Sequence, residues 1–123
     1  MISRRTTDRG DVYWIDPNPT SGREMRGRHR FVVITPQVVN TLGVVMTVPV
    51  TGGGQFSRET GMTVPIIGHD TQGVAVCNQV RTFDVEARVK AGTARFVERL
   101  DTDTAEEIVS RVLSIIDPQE NTP

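Results

Sequence analysis

The segment Val44-Val45-Met46-Thr47-Val48-Pro49-Val50-Thr51 runs straight into Gly52-Gly53-Gly54. β-Branched side chains at Val44, Val45, Thr47, Val48, Val50 and Thr51 suit a pleated, half-buried strand. Three glycines end it, because they bring no side chain to pack and lose the most freedom on ordering. Pro49 has no N–H to give to a ladder, so an edge or a bulge is expected there. Thr51 is then the last side chain before a loop of bare backbone. Such a loop lets a ligand approach closely and leaves main-chain N–H groups free to meet an anion. Thr51 is therefore placed at the lip of a phosphate-binding groove, the plainer alternative being a strand and a hairpin turn.

Similar short runs recur along the chain. Val12–Ile15 reads as a first strand, closed by Asp16-Pro17-Asn18-Pro19. Phe31–Thr35 is apolar almost throughout, which predicts a central strand. Pro36 is expected at the first position of a short helical turn reaching Asn40. Met62–Ile66, Val74–Val80 and Arg95–Leu100 supply three more strands. The end is helical: Ile108, Val109, Val112, Ile115 and Ile116 share one face, Asp101 to Asp103 are cap candidates, and Asp117-Pro118 stops the helix. Hairpin-length turns and one closing helix predict a small curled antiparallel sheet or barrel with the helix packed on it.

At 123 residues there is room for a single core. Residues 1–9 are expected to be a flexible terminus, 10–117 one domain, and 118–123 a disordered tail. Aromatics make up only 5%, so the core must be built from Val, Ile and Leu. The single cysteine excludes an internal disulfide framework and a cysteine-rich metal site, and suits a reducing cytosol. No run approaches the ~18 apolar residues of a membrane helix, and the start lacks a signal peptide's apolar stretch. A cytoplasmic protein is expected.

The net charge of −1 hides an asymmetry. Residues 1–58 carry 8 basic and 4 acidic side chains, whereas residues 59–123 carry 6 and 11. All the basic residues but Lys90 are Arg, whose planar fork matches phosphate oxygens. Arg23, Arg26, Arg28 and Arg30 cluster in one glycine-framed stretch with Glu24 and His29. Their spacing is not that of a solvated helix face. Arg30 directly precedes the central strand, which would fix it better than a loop tip fixes the others. His29 and His69 lack metal-ligand spacing partners and read as loop and turn residues. Cys77 reads as packed, and Asn78 as its outward neighbour.

Several pieces, in order, resemble the MazF/PemK (Kid, ChpB) family of toxin endoribonucleases. They are Arg9-Gly10-Asp11-Val12, Asn18-Pro19-Thr20-Ser21-Gly22-Arg23-Glu24, Val48-Pro49-Val50-Thr51, Gly53-Gly54-Gln55-Phe56-Ser57-Arg58, and Gly73-Val74 through Asn78-Gln79-Val80-Arg81-Thr82-Phe83-Asp84. The Pro-Val-Thr-x-Gly-Gly-x-Phe pattern points to the PemK and ChpB branch. The resemblance implies an SH3-like barrel that forms a homodimer. It also implies cleavage of single-stranded mRNA without a metal or other cofactor, leaving a 2′,3′-cyclic phosphate and a 5′-hydroxyl. A cognate antitoxin would block the groove.

Glu24, Arg30 and Thr51 match family active-site positions and are the expected catalytic residues. Arg23, Arg26 and Arg28, then Gly53, Gln55 and Phe56, then Asn78, Gln79 and Arg81, are assigned to the RNA groove. Where Kid-type members carry a His, an acid Arg and a base Asp, this chain has Arg23, Val76 and Asn78. The Arg/Thr pair of MazF-type members remains. Two rivals stand beside this reading: a barrel that only binds RNA or antitoxin, and a gyrase poison resembling CcdB.

Overall fold

The computed structural model describes residues 6–17, 21–23, 27–52 and 61–119. Seven strands are present: β1 Asp11–Ile15, β2 His29–Val33, β3 Val45–Thr51, β4 Thr63–Ile66, β5 Gly73–Val76, β6 Arg81–Phe83 and β7 Ala94–Arg99. They form one antiparallel sheet in the order β4-β5-β3-β2-β1-β7, with β6 paired to β3 off that path. The described residues also form the helices α1 Gln37–Asn40, α2 Val85–Lys90 and α3 Thr102–Ile116.

The run ending at Thr51 is the longest strand and the hub. Along one edge β3 pairs with β2, from Thr47 opposite Val33 to Val50 opposite Arg30. Along the other it pairs with β6 as far as Thr47 and with β5 from Val50 onward. Pro49 falls where one partner has ended and the next has not begun, so its missing N–H breaks no ladder there. The predicted irregularity is thus a change of neighbour inside the sheet rather than an outer edge.

Both faces of the central strands are buried. One cluster holds Val12, Val32, Val48, Val64, Ala75, Ile108 and Val112. The other holds Tyr13, Ile15, Phe31, Val33, Phe83 and Val85. The alternation of β1 and β2 sends successive side chains to opposite clusters, which is why Phe31-Val32-Val33 is apolar without a break. Helix α3 leaves β7 at one edge of the sheet and packs against β4 at the other, so the sheet curls around it into a small barrel-like body. Asp101 caps α3 by accepting from the Thr104 N–H at 3.0 Å, and Ala105, Ile108 and Val112 form its buried stripe.

Several local expectations change. The strand predicted over 74–80 ends at Val76; Cys77 and Asn78 turn the chain, and Arg81–Phe83 becomes a strand of its own. Helix α2 was not foreseen; its signal is Asp84, whose carboxylate accepts from the Ala87 N–H at 3.0 Å. Pro36 sits at the cap of α1 rather than inside it, and His29 opens β2 rather than lying in a loop. Ile116 is exposed although it was placed on the periodic face, whereas its neighbour Ile115 packs against the core. Residues 7–9 make hydrogen bonds to distant parts of the chain. Asn40 donates to the Thr7 carbonyl, Asp8 accepts from the Gln37 N–H, and Arg9 Nε donates to the Ile34 carbonyl. Each partner lies more than twenty residues away, outside the reach of local pattern.

Candidate nucleic-acid interface

Register assembles the site. Antiparallel pairing sets Trp14 of β1 opposite Arg30 of β2 on one side and opposite Arg95 of β7 on the other. Arg30 in turn faces Val50 of β3. Directly paired residues share a face, so Arg95, Trp14, Arg30 and Val50 form a row across four strands. The row lies on the face of Val12 and Val32, at the end of the sheet where polar side chains replace the core.

Arg30 and Thr51 line the same cavity, of about 330 Å³, together with Trp14, Arg28, Gly52 and Gln72. The Arg30 guanidinium carbon stands 5.2 Å from the Trp14 ring centroid. Its Nη1 donates to the Asp70 carbonyl at 2.9 Å, and its Nε is buried without a hydrogen-bond partner. Among the described residues no carboxylate pairs with it. Among those residues the cation is held by an aromatic face and a carbonyl, neither of which carries a charge to oppose it. By the strand's period of two, Thr51 lies on the other face from Val50 and meets the cavity at its rim, where the chain turns at Gly52.

Thr51 is held from behind by β5. Gly73 has φ of 115° and passes so close to Thr51 that a Cβ would collide with the Thr51 carbonyl oxygen. Only glycine meets both conditions.

The turn after β4 is pinned as firmly. His69 Nδ1 is 3.2 Å from Glu98 Oε1, and its Nε2 is 2.7 Å from Asp101 Oδ1. Only a doubly protonated ring donates to both. The bond to Asp101 is the chief cause that raises the His69 pKa; burial opposes it and Glu98 adds to it. Asp101 is held well below the usual carboxylate range by His69 first and then Thr104. In Glu98 burial pulls upward, but hydrogen bonds from Thr71 and His69 outweigh it and the pKa falls. This clamp ties the turn to β7 and to the start of α3, and the same turn presents the Asp70 carbonyl to Arg30.

The other predicted site residues distribute as follows. Arg28 is exposed and lines the cavity. Arg23 is exposed and is not among the lining residues. Asn78 and Gln79 occupy the turn after β5, away from the cavity lining. Arg81 joins a different cluster. Its Nη2 donates to the Pro17 carbonyl at 3.3 Å, and its guanidinium lies 5.2 Å from the Phe83 ring. Arg88 lies 4.8 Å from the same ring and donates to the Asp16 carbonyl at 2.7 Å. These two arginines anchor the exit of β1, from which the basic stretch departs. Glu24, Arg26, Gly53, Gln55 and Phe56 lie outside the described residues. Cys77 is buried in the core, and burial pushes its thiol up to about 11. Trp14, Asp70 and Gln72 were missed, because only strand register and a long-range turn bring them to Arg30.

A curled antiparallel sheet closed by one helix, with a guanidinium at one open end that has no carboxylate partner among the described residues, defines a small β-barrel protein. The chain belongs to the PemK-like, MazF-like toxin family of type II toxin–antitoxin systems, whose family model matches residues 8–116. The endoribonuclease toxin ChpB of Escherichia coli K12 is 32% identical over 120 residues, covering 95% of this chain and all of that protein. The crystal structure of MazF from Deinococcus radiodurans superposes with a TM-score of 0.77 at 23% identity, over 92% of this chain and 98% of that one. A MazE–MazF complex from the same organism gives 0.73 at 22% identity, over 94% and 100%.

Proposed function

We propose that this chain is a metal-independent endoribonuclease toxin of the cytoplasm. It cuts single-stranded mRNA at a particular sequence, arrests translation and growth, works as a homodimer, and is neutralised by a cognate antitoxin. Family membership and the endoribonuclease relative support the class, and the toxin–antitoxin complex that shares the fold supports the partner. The observation that supports the site assignment is the shared cavity of Arg30 and Thr51, with no carboxylate paired to Arg30 among the described residues.

The reaction is an internal displacement. The 2′-oxygen loses its proton and bonds to the neighbouring phosphorus. The bond from phosphorus to the 5′-oxygen breaks, and that oxygen takes up a proton. Negative charge grows on the non-bridging oxygens as the phosphorane forms. Arg30 neutralises it; a permanently charged guanidinium serves as a clamp and not as a base. Thr51 gives a hydrogen bond to a phosphate oxygen, and Glu24 orients the 2′-hydroxyl or Arg30. Arg23, Arg26 and Arg28, with Gly53, Gln55, Phe56, Asn78, Gln79 and Arg81, hold the strand on either side.

The test is single-stranded RNA incubated in EDTA with wild type, Arg30→Ala and Thr51→Ala, followed by analysis of the product ends. Wild type should yield 2′,3′-cyclic phosphates and 5′-hydroxyls. Each variant should lose about 10²- to 10³-fold in rate. Equal cutting by all three overturns the site. Intact RNA recovered in a stable complex would identify a binding-only barrel, and trapped DNA–gyrase complexes would identify a gyrase poison.

A further inference from the structure

The row of Arg30, Trp14 and Arg95 continues past the catalytic cavity. A second cavity, of about 240 Å³, lies on the far side of Trp14 and is lined by Arg28, Gly92, Thr93 and Arg95. Trp14 and Arg28 line both cavities, so the two form one trough that crosses β2, β1 and β7. Arg95 is exposed and stands 5.8 Å from the Trp14 centroid. Among the described residues its side chain has no hydrogen bond and no ion pair. An exposed arginine is ordinarily spent on a carboxylate or on water; this one is parked over an indole. Asp70 is the one acidic residue among the described lining of the trough, and its carbonyl is turned to Arg30.

We propose that this trough is a second nucleotide subsite: Arg95 binds the phosphodiester next to the one held by Arg30, and Trp14 packs against the nucleotide between them. The inference rests on the ribonuclease reading above and names where the substrate strand runs. Strand spacing sets the two arginine backbones roughly 10 Å apart, with Trp14 midway. Two flexible guanidinium arms over that span suit consecutive phosphates of one strand. An aromatic face between them is the sequence-tolerant way to hold a base. The occupant is single-stranded, because a paired base has no free face to offer an indole on a shallow sheet.

Trp14 is the only tryptophan in the chain and lines both cavities, so its fluorescence reports the trough as a whole, and the Arg95 variant separates the second subsite from the first. The probe is a random-sequence, uniformly 2′-O-methylated single-stranded RNA, which cannot attack its own phosphates. Binding should change Trp14 emission in the wild type. Arg95→Ala should weaken binding about tenfold and lower the slope of log K against log salt by about 0.7, the value of one phosphate contact on a single strand. Arg111→Ala, an exposed change on α3, should alter neither. A wild type that cuts RNA while Arg95→Ala keeps its affinity and slope overturns the subsite and leaves the ribonuclease reading standing. A wild type that neither cuts RNA nor binds the methylated probe overturns both.

Discussion

At the scale of single residues, the site is built from two cations that share one indole. Arg30 and Arg95 both stand over Trp14, and among the described residues neither pairs with a carboxylate. His69, whose imidazole meets two carboxylates, does not line their trough and works on the turn that carries Asp70. Its raised pKa makes a stability prediction. The contribution of His69 is fully present below its ordinary value of about 6.5 and is lost as pH rises through the raised folded value. Glu98 and Asp101 have lowered values, so their contribution is present above the ordinary carboxylate range and is lost as pH falls through the folded values. The clamp is thus strongest between about pH 4.5 and 6.5. Thermal unfolding of wild type should show a fall in Tm from pH 6 to pH 9 that His69→Gln largely lacks. Parallel pH profiles for the two proteins would show that His69 does not act through its charge.

At the scale of elements, β3 organises the molecule because it has neighbours on both edges and ends at the rim of the cavity shared by Arg30 and Thr51. Its last residues are fixed by β5, and β5 can come that close only through Gly73. Gly73→Ala combines a strained backbone with a collision against Thr51, so it should cost about 3 kcal/mol or more, read as a lower urea midpoint. It should also reduce RNA cleavage in the fraction that still folds, because the Thr51 backbone must move. Wild-type stability in this variant would show that the close crossing of β5 over Thr51 is wrong. Helix α3 acts differently: its buried Ile108 and Val112 pack into the cluster of Val12, Val32 and Val50, and its capping Asp101 holds the turn that carries Asp70.

At the scale of the whole molecule, one thin sheet buries side chains on both faces and still leaves apolar residues outside. Val38, Leu42 and Val44 are exposed around α1 and the entry to β3. A homodimer should therefore sediment at twice the 13.6 kDa chain mass at micromolar concentration. A single species at the chain mass would remove the homodimer from the proposed function. Much of this architecture could be read locally. β-Branched runs, glycine and proline stops and one amphipathic stretch are set by neighbours a few residues apart, and they marked most strands and the final helix. Arg30 and Thr51 were likewise visible, since each sits beside a strand end and matches a family motif. Trp14 and Arg95 were not, because nothing near them in the chain marks them as partners. A β-strand states which side chains alternate; it does not state which strand will lie beside it or in what register. Those choices are made by burial on both faces of the sheet and by the helix that closes it, and they decide which cations share a trough.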